Sequence, residues 1–440
     1  MEVSKLNQNL STFLESGIYR FEDSNFVFID PVRVLNQSYT RFGVSPSSYY
    51  SRFFESSDTT QQQSSNSRKR KRKEKKPYTL NERERAADRR HQEAKPFLLK
   101  ACESLRRATD LLEVISKLRD GSDSGSSSSK SIGSGSSSST VEHSFIELGR
   151  VWQAPLYEIT LKFHPSNDRN EAGGSPTTQS CERVHPVFNN LIVNETSEDL
   201  EAEFMNTRYI LPQESSFYVL LINVFAFYIM LKSDLGQIHN LIPAENDRGF
   251  NLIVVDPPWE NGSAHQKLKY PTLPNKYFLS LPIKKLSHTE GAIVALWVTN
   301  REKLRCFVEE ELFPTWGVKY MTTFYWLKVN ADSSLISDLD LFHHRPYECV
   351  ILGQCHGEVV DSDNMSKIKT VPDNQVIISV PGDYSRKPPI GGLLKEYISG
   401  HGPTRCLELF AREMVSGWVS WGNEPLHFQD SQYFDDCRDR

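Results

Sequence analysis

Between residues 234 and 428 the chain alternates short apolar runs, 251–255, 292–298, 323–329, 349–353 and 376–380, with connecting stretches of which 300–312 and 391–398 read as helices. A strand that is apolar on both faces must be covered on both faces. Such runs interleaved with helices therefore predict a doubly wound α/β sheet. Ahead of this region, residues 17–35 (GIYRFEDSNFVFIDPVRVL) hold two β-rich stretches around the turn-forming Asp23, Ser24 and Asn25, which predicts a hairpin. Across 81–119 the pattern is helical. Leu98, Leu105 and Leu112 fall seven apart, and Ala101, Ala108 and Ile115 fill the second seam position, giving one apolar stripe on a charged helix. Pro96 is expected to start the apolar part, and the 98–118 stripe to be a docking face open to a protein partner.

The polar segments divide the chain. Residues 121–140 (GSDSGSSSSKSIGSGSSSST) form a linker by composition, unable to offset ordering entropy with burial. The expected division is a β-rich segment at 1–60, a basic linker at 61–80, an amphipathic helix at 81–120, the Ser/Gly linker at 121–140, an accessory domain at 141–215 and the main α/β domain at 216–430. The N-terminal α+β region is expected to stand apart. The longest apolar run, 217–231, is fifteen residues and contains Asn223. That is shorter than the roughly 18 to 20 residues of a membrane span, so it reads as a buried element, with 219–232 a possible insert in the α/β domain.

Charge changes this picture in one place. The net charge of −5 conceals a run of eight basic residues in the nine from Arg68 to Lys76, worth +7, which leaves −12 on the remainder. Such a block cannot pack, and it suits nuclear import or attraction to nucleic-acid phosphates. The seven cysteines contain no C-x-x-C pair and include one left over from any complete pairing, which argues against a disulfide scaffold or a cysteine-rich zinc site. The opening MEVSKLNQNL lacks the apolar stretch of a secretory signal.

The chemistry concentrates in NLIVVDPPWENGS, an apolar strand followed by Asp256, Pro257, Pro258 and Trp259. In open α/β sheets, ligands bind at the carboxyl ends of the strands. The exocyclic amine of adenine is a poor nucleophile because its lone pair is delocalised into the ring. Two acceptors that take its two hydrogens bias the nitrogen toward sp3 and aim the lone pair outward. Asp256 supplies one acceptor, and the stiff prolyl backbone presents the Pro257 carbonyl as the second. Trp259 offers a flat face for the base. A sulfonium methyl held in line with that nitrogen completes the reaction by positioning, without a metal.

DPPW after an apolar strand, together with WVTNR (297–301), FYWLKVN (324–330), RPYECVILG (345–353), SRKPP (385–389), ELFAR (408–412) and GWVSWGNE (417–424), resembles the family of the mRNA N6-adenosine methyltransferase, most closely its methyltransferase-like-four subgroup. The resemblance covers 234–428, nearly half the chain. It implies a Rossmann-like enzyme that uses S-adenosylmethionine to methylate N6 of adenine. It also implies nuclear location and an RNA substrate, specifically a small nuclear RNA carrying 2'-O-methyladenosine. By the same resemblance Phe410, Arg412, Asn423 and Glu424 hold the cofactor, with Asp234 and Asp256 beside it. Lys387 lies near both ligands, Tyr270 sits on the loop after the catalytic motif, and Arg345 and Glu348 match a polar position near the target base, with a surface salt bridge as the alternative.

Three departures stand out. There is no G-x-G-x-x-G, residues 413–415 read EMV where the messenger-RNA enzyme has a His-Asn pair, and 219–232 is not part of the family pattern. His343 and His344 have no third ligand at metal spacing and read as a polar loop. Trp297 and Trp326 suit core and substrate platform equally. The motif alone leaves DNA adenine as an alternative substrate, since the 2'-hydroxyl is what separates RNA from DNA, and a catalytically silent scaffold as a third reading that an intact DPPW argues against.

Overall fold

The protein was analysed as a computed structural model, which describes residues 2–22, 25–52, 80–120, 144–163, 181–221, 235–244, 249–260, 272–342, 344–356, 369–398 and 403–437. The basic run 68–76, the Ser/Gly stretch 121–140, Asp234, Tyr270, His343 and residues 222–232 lie outside the described residues. The strands are β1 (Ile18–Arg20), β2 (Phe26–Ile29), β3 (Phe42–Val44), β4 (Glu158–Phe163), β5 (Cys181–Pro186), β6 (Leu191–Asn194), β7 (Leu200–Phe204), β8 (Thr207–Leu211) and β9 (Ser215–Val219) in the first half of the chain. In the second half they are β10 (Leu252–Val255), β11 (Ala292–Val298), β12 (Val318–Lys328), β13 (Tyr347–Cys355), β14 (Val376–Ser379), β15 (Cys406–Leu409), β16 (Trp418–Gly422) and β17 (Phe434–Asp436).

One eleven-stranded sheet, ordered β1-β2-β14-β12-β13-β11-β10-β15-β16-β9-β6, organises the protein. Most of its strands run parallel to β10; β1, β13 and β6 run the other way. The double coverage inferred from the apolar runs is visible residue by residue. Leu252 and Val254 pack on one face with Leu393 and Leu394, while Ile253 and Val255 pack on the other with Leu304, Val308 and Phe313. The fold is α/β, and all five apolar runs are strands of this sheet.

The boundaries between regions are less sharp than the composition suggests. The N-terminal hairpin forms as expected, but it does not stand apart, because β2 pairs in parallel with β14. At the opposite edge β6, from the accessory segment, and β9, at its junction with the main domain, extend the same sheet, while β5-β4-β7-β8 form a separate four-stranded sheet. Asp199, fully buried, accepts from the backbone N–H groups of Thr40, Arg41 and Phe42 and from the Thr40 hydroxyl, tying this segment to the N-terminal region. The start of the supposed insert is also core. Val219 ends β9, Val219 and Leu220 are buried, and the Leu220 N–H donates to the Gly422 carbonyl at 2.9 Å.

Helices α1 (Glu2–Ser16), α2 (Pro31–Asn36) and α3 (Pro46–Tyr49) flank the hairpin, and α4 (Glu82–Arg107) and α5 (Thr109–Ile115) carry the apolar stripe. Pro96 sits inside α4 rather than at its start. The capping box of Asn81 and Glu84 begins the helix earlier, and burial of Leu98, Ala101 and Leu105 offsets the roughly 3 kcal/mol that an interior proline costs. The seven-residue seam breaks at Ala108 (φ −84°, ψ 73°). Beyond it Leu111 is fully buried and Leu112 only partly so, a shift of one position. Nor is the stripe open to another protein. It packs against Phe13, Phe28, Val376 and Ile378 of the same chain. Arg90 on α4 pairs with Glu302 and Glu309 at 2.8 to 3.1 Å. Among the described residues no helix is long and apolar enough to cross a membrane.

Because α4 shares its core with the sheet, Leu105→Ala is expected to lower the stability of the whole unit by about 2–5 kcal/mol. Urea unfolding followed by tryptophan fluorescence should show one transition at a lower midpoint. An unchanged midpoint would mean that α4 does not belong to the cooperative core.

Candidate active site

Four loops leave the same edge of the sheet. Asp256 follows β10, Thr299 follows β11, Phe410 follows β15 and Asn423 follows β16; Glu348, on the antiparallel β13, reaches that edge from its N-terminal end. They enclose a cavity of about 640 Å³ lined by Asp256, Pro257, Pro258, Trp259, Lys387, Phe410, Arg412, Asn423, Glu424 and Glu348. Ten of the thirteen residues singled out from the sequence are thereby brought together. Asp234 and Tyr270 lie outside the described residues. Arg345 faces away, donating to the Leu341 carbonyl at 3.0 Å and lying 3.6 Å from Asp88 of α4.

The DPPW motif is held by its backbone. The Asp256 N–H donates to the Leu409 carbonyl at 3.1 Å, extending the β10–β15 ladder by one rung. The Trp259 N–H closes a tight turn onto the Pro257 carbonyl at 2.8 Å, and the indole N–H donates to the Trp297 carbonyl at 2.8 Å. Trp259 is therefore mostly core, edge-on to Phe278 at 5.1 Å, although it contributes to the cavity wall. Trp297 is likewise buried and packs edge-on against Trp326.

A single lysine organises the charges. Lys387 Nζ lies 3.2 Å from Asp256 Oδ1 and 3.6 Å from Glu348 Oε2, and Glu348 also pairs with Lys328. Burial pushes the Asp256 carboxyl above its usual range, with Glu348 adding to the rise and Lys387 and Arg412 opposing it. At Glu348 the balance is reversed. Burial would raise it, but Lys328 and Lys387 together hold it down at about 2.

Glu408, inside the otherwise apolar β15, faces a second cavity of about 290 Å³ that shares Asp256, Lys387 and Arg412 with the first. Burial, with the Asp256 and Glu413 charges, pushes its carboxyl to about 8. A charged residue within an apolar strand was the sequence signal that could have found it.

The far wall rests on strain and close approach. Phe410 adopts φ 63°, a left-handed conformation that a bulky residue takes only when its surroundings enforce it, and its ring packs edge-on to Phe278 and Trp421. Gly422 fits tightly beside it, since a Cβ there would stand 3.0 Å from the Ala411 carbonyl oxygen. The EMV departure has a structural account. Glu413 forms a buried ion pair with Arg386. A third, wider cleft of about 1240 Å³ opens from the cavity past Arg301, Lys303 and Tyr384 and carries Arg52, Arg83, Lys328 and Arg345 on its walls.

Residues 250–424 match the MT-A70 family. The chain is 38% identical over 247 residues to the N(6)-adenine-specific methyltransferase METTL4 of Mus musculus, an alignment covering 56% of this chain and 49% of that protein. It is 34% identical over 192 residues to the N6-methyladenosine RNA methyltransferase MTA1 of Pyricularia oryzae, covering 41% and 48%. It is 31% identical over 233 residues to the DNA N6-methyl methyltransferase of Caenorhabditis elegans, covering 52% and 56%. The chain thus spans about half the length of these curated relatives. MT-A70 methyltransferases use S-adenosylmethionine. The residues present fit that group: Arg412 Nε is buried without a hydrogen bond, 4.0 Å from the Glu424 carboxylate, and the Asn423 amide and Glu424 carboxylate line the same cavity, where ribose hydroxyls can bond.

The Glu348 shift gives a pH signature. A carboxyl whose folded value lies below its unfolded 4.5 contributes stability that is fully present above 4.5 and is lost as pH falls toward about 2. Glu348→Gln is therefore expected to be less stable than wild type at neutral pH. The gap should close over that acidic window in urea titrations; a gap that stays constant down to pH 2 would refute the assignment.

Proposed function

We propose that this protein is an S-adenosylmethionine-dependent adenine N6-methyltransferase that acts on RNA in the nucleus, with 2'-O-methyladenosine in a small nuclear RNA as its target. The observation that carries the reading is the Asp256 carboxylate at the end of β10, set on the wall of the 640 Å³ cavity within the MT-A70 match. The cofactor, when bound, supplies an electrophilic methyl group. The chain supplies the orientation. Asp256 accepts one amine hydrogen, and the Pro257 carbonyl, which has already accepted the Trp259 N–H, retains a second lone pair for the other. Lys387, 3.2 Å away, opposes the desolvation that pushes the Asp256 carboxyl upward.

The cationic walls of the adjoining cleft support a nucleic-acid substrate, and the run 68–76 adds nonspecific phosphate attraction and a basis for nuclear import. The intact DPPW favours an active enzyme over a silent scaffold. The relatives' names include both RNA and DNA enzymes, so the deciding experiment compares matched RNA and DNA oligonucleotides, each with and without 2'-O-methyladenosine, by nucleoside mass spectrometry. The expected product is N6-methylated 2'-O-methyladenosine. Methylation of DNA alone would overturn the RNA assignment.

The role of Asp256 is tested by two variants. As an orienting acceptor it is replaceable by an amide oxygen, so Asp256→Asn should retain single-turnover methyl transfer at a loss of roughly five- to tenfold. Asp256→Ala leaves an amine hydrogen unpaired in a desolvated site and should lose about a hundredfold or more. Equal loss in both variants with normal cofactor affinity would point instead to an obligatory general base.

A further inference from the structure

The loop that carries Lys387 is held from outside the MT-A70 region. Arg386, the preceding residue, is buried, with its guanidinium between the rings of Tyr49 and Phe428 at 4.1 and 4.2 Å. The same guanidinium makes two hydrogen bonds to Glu413. Gly382, four residues earlier, lies so close to Tyr49 that a Cβ would come within 2.8 Å of its ring. Between them Ser385 takes φ 60°, a conformation that needs enforcement from its neighbours, and Arg52 stacks over Tyr384. Tyr49 ends α3, and α3 is fastened through Ser45, whose N–H donates to the Tyr433 carbonyl at 2.8 Å. The loop is thus gripped by an N-terminal helix on one side and by the turn after β15 on the other.

We infer that Tyr49, Arg386 and Glu413 form a positioning clamp that sets Lys387 against Asp256 and Glu348, so that Tyr49, on an N-terminal helix, tunes the reaction through the loop it holds. The inference rests on the proposed methyltransferase activity. It accounts for two features otherwise unexplained: the glutamate at 413, and a buried arginine one residue from the organising lysine. An arginine in this place holds a planar fork to Glu413 while offering both faces to rings, which a lysine cannot do.

The consequence reaches Asp256 through its charged neighbours, namely Lys387 from the clamped loop, Glu348 from β13, Glu408 from β15 and Arg412 from the turn after β15. When the loop loosens, Lys387 withdraws while the Glu348 charge stays. Asp256 then protonates at a higher pH, and the acidic limb of the rate profile moves upward. A purely structural contact leaves that limb in place.

The test is the pH dependence of single-turnover methyl transfer to RNA by the full chain, with cofactor affinity and thermal midpoint measured alongside, for wild type, Tyr49→Leu, Tyr49→Phe and Glu413→Gln. Tyr49→Leu and Glu413→Gln are expected to lose about tenfold in rate at saturating substrates, with the acidic limb displaced to higher pH and cofactor affinity retained. Tyr49→Phe keeps the ring and should behave as wild type. If Tyr49→Leu does not fold, the isosteric Glu413→Gln carries the comparison. An unmoved acidic limb in the folded variants overturns the clamp; absence of methyl transfer by wild type overturns the functional reading instead.

Discussion

The site depends on one main-chain hydrogen bond, from the Asp256 N–H to the Leu409 carbonyl. It carries the parallel β10–β15 ladder one residue past the end of β10, and so places the first residue of the catalytic motif beside the turn that opens with Phe410. From there the arrangement follows. The left-handed Phe410 reverses the chain, Gly422 admits the reversed backbone, and Ala411 bonds back to the Trp421 carbonyl at 3.0 Å. Three neighbouring strands end in register, and their first non-strand residues share a wall.

Charge at this wall is crowded rather than paired off. Asp256, Glu348 and Glu408 all feel Lys387, and each is driven differently: Asp256 upward by burial, Glu348 downward by two lysines, Glu408 up to about 8. Carboxyls of one chemical type are therefore pushed in opposite directions within one site. That division follows from depth and from distance to one ammonium group, which is why the position of the lysine matters more than its presence.

Much of this was legible in the sequence. The apolar runs marked the strands because a doubly covered strand leaves little room for polar residues, and DPPW marked where β10 ends because two prolines cannot continue a ladder. What escaped was decided by partners distant along the chain. Pro96 was misplaced because the capping box and the burial that sustain the helix around it are not properties of the proline. The shift from Leu112 to Leu111 follows from a break at Ala108 that no seven-residue pattern encodes. The expected open stripe was filled by the chain itself, and Arg345 turned toward α4. Glu413 stood out only as a departure from the family pattern because its partner, Arg386, lies 27 residues away.

The composite sheet also constrains how the protein can be made. Val27 on β2 pairs with Ile377 on β14, 350 positions later, and β9 waits for β16. During synthesis the first hairpin leaves the ribosome long before the strand that receives it, and its apolar faces must stay exposed while most of the chain is still to come. Pairings of such long range are slow to form and vulnerable to aggregation until they do. The architecture that lets an N-terminal helix grip a catalytic loop therefore commits the nascent chain to a long wait before any cavity exists.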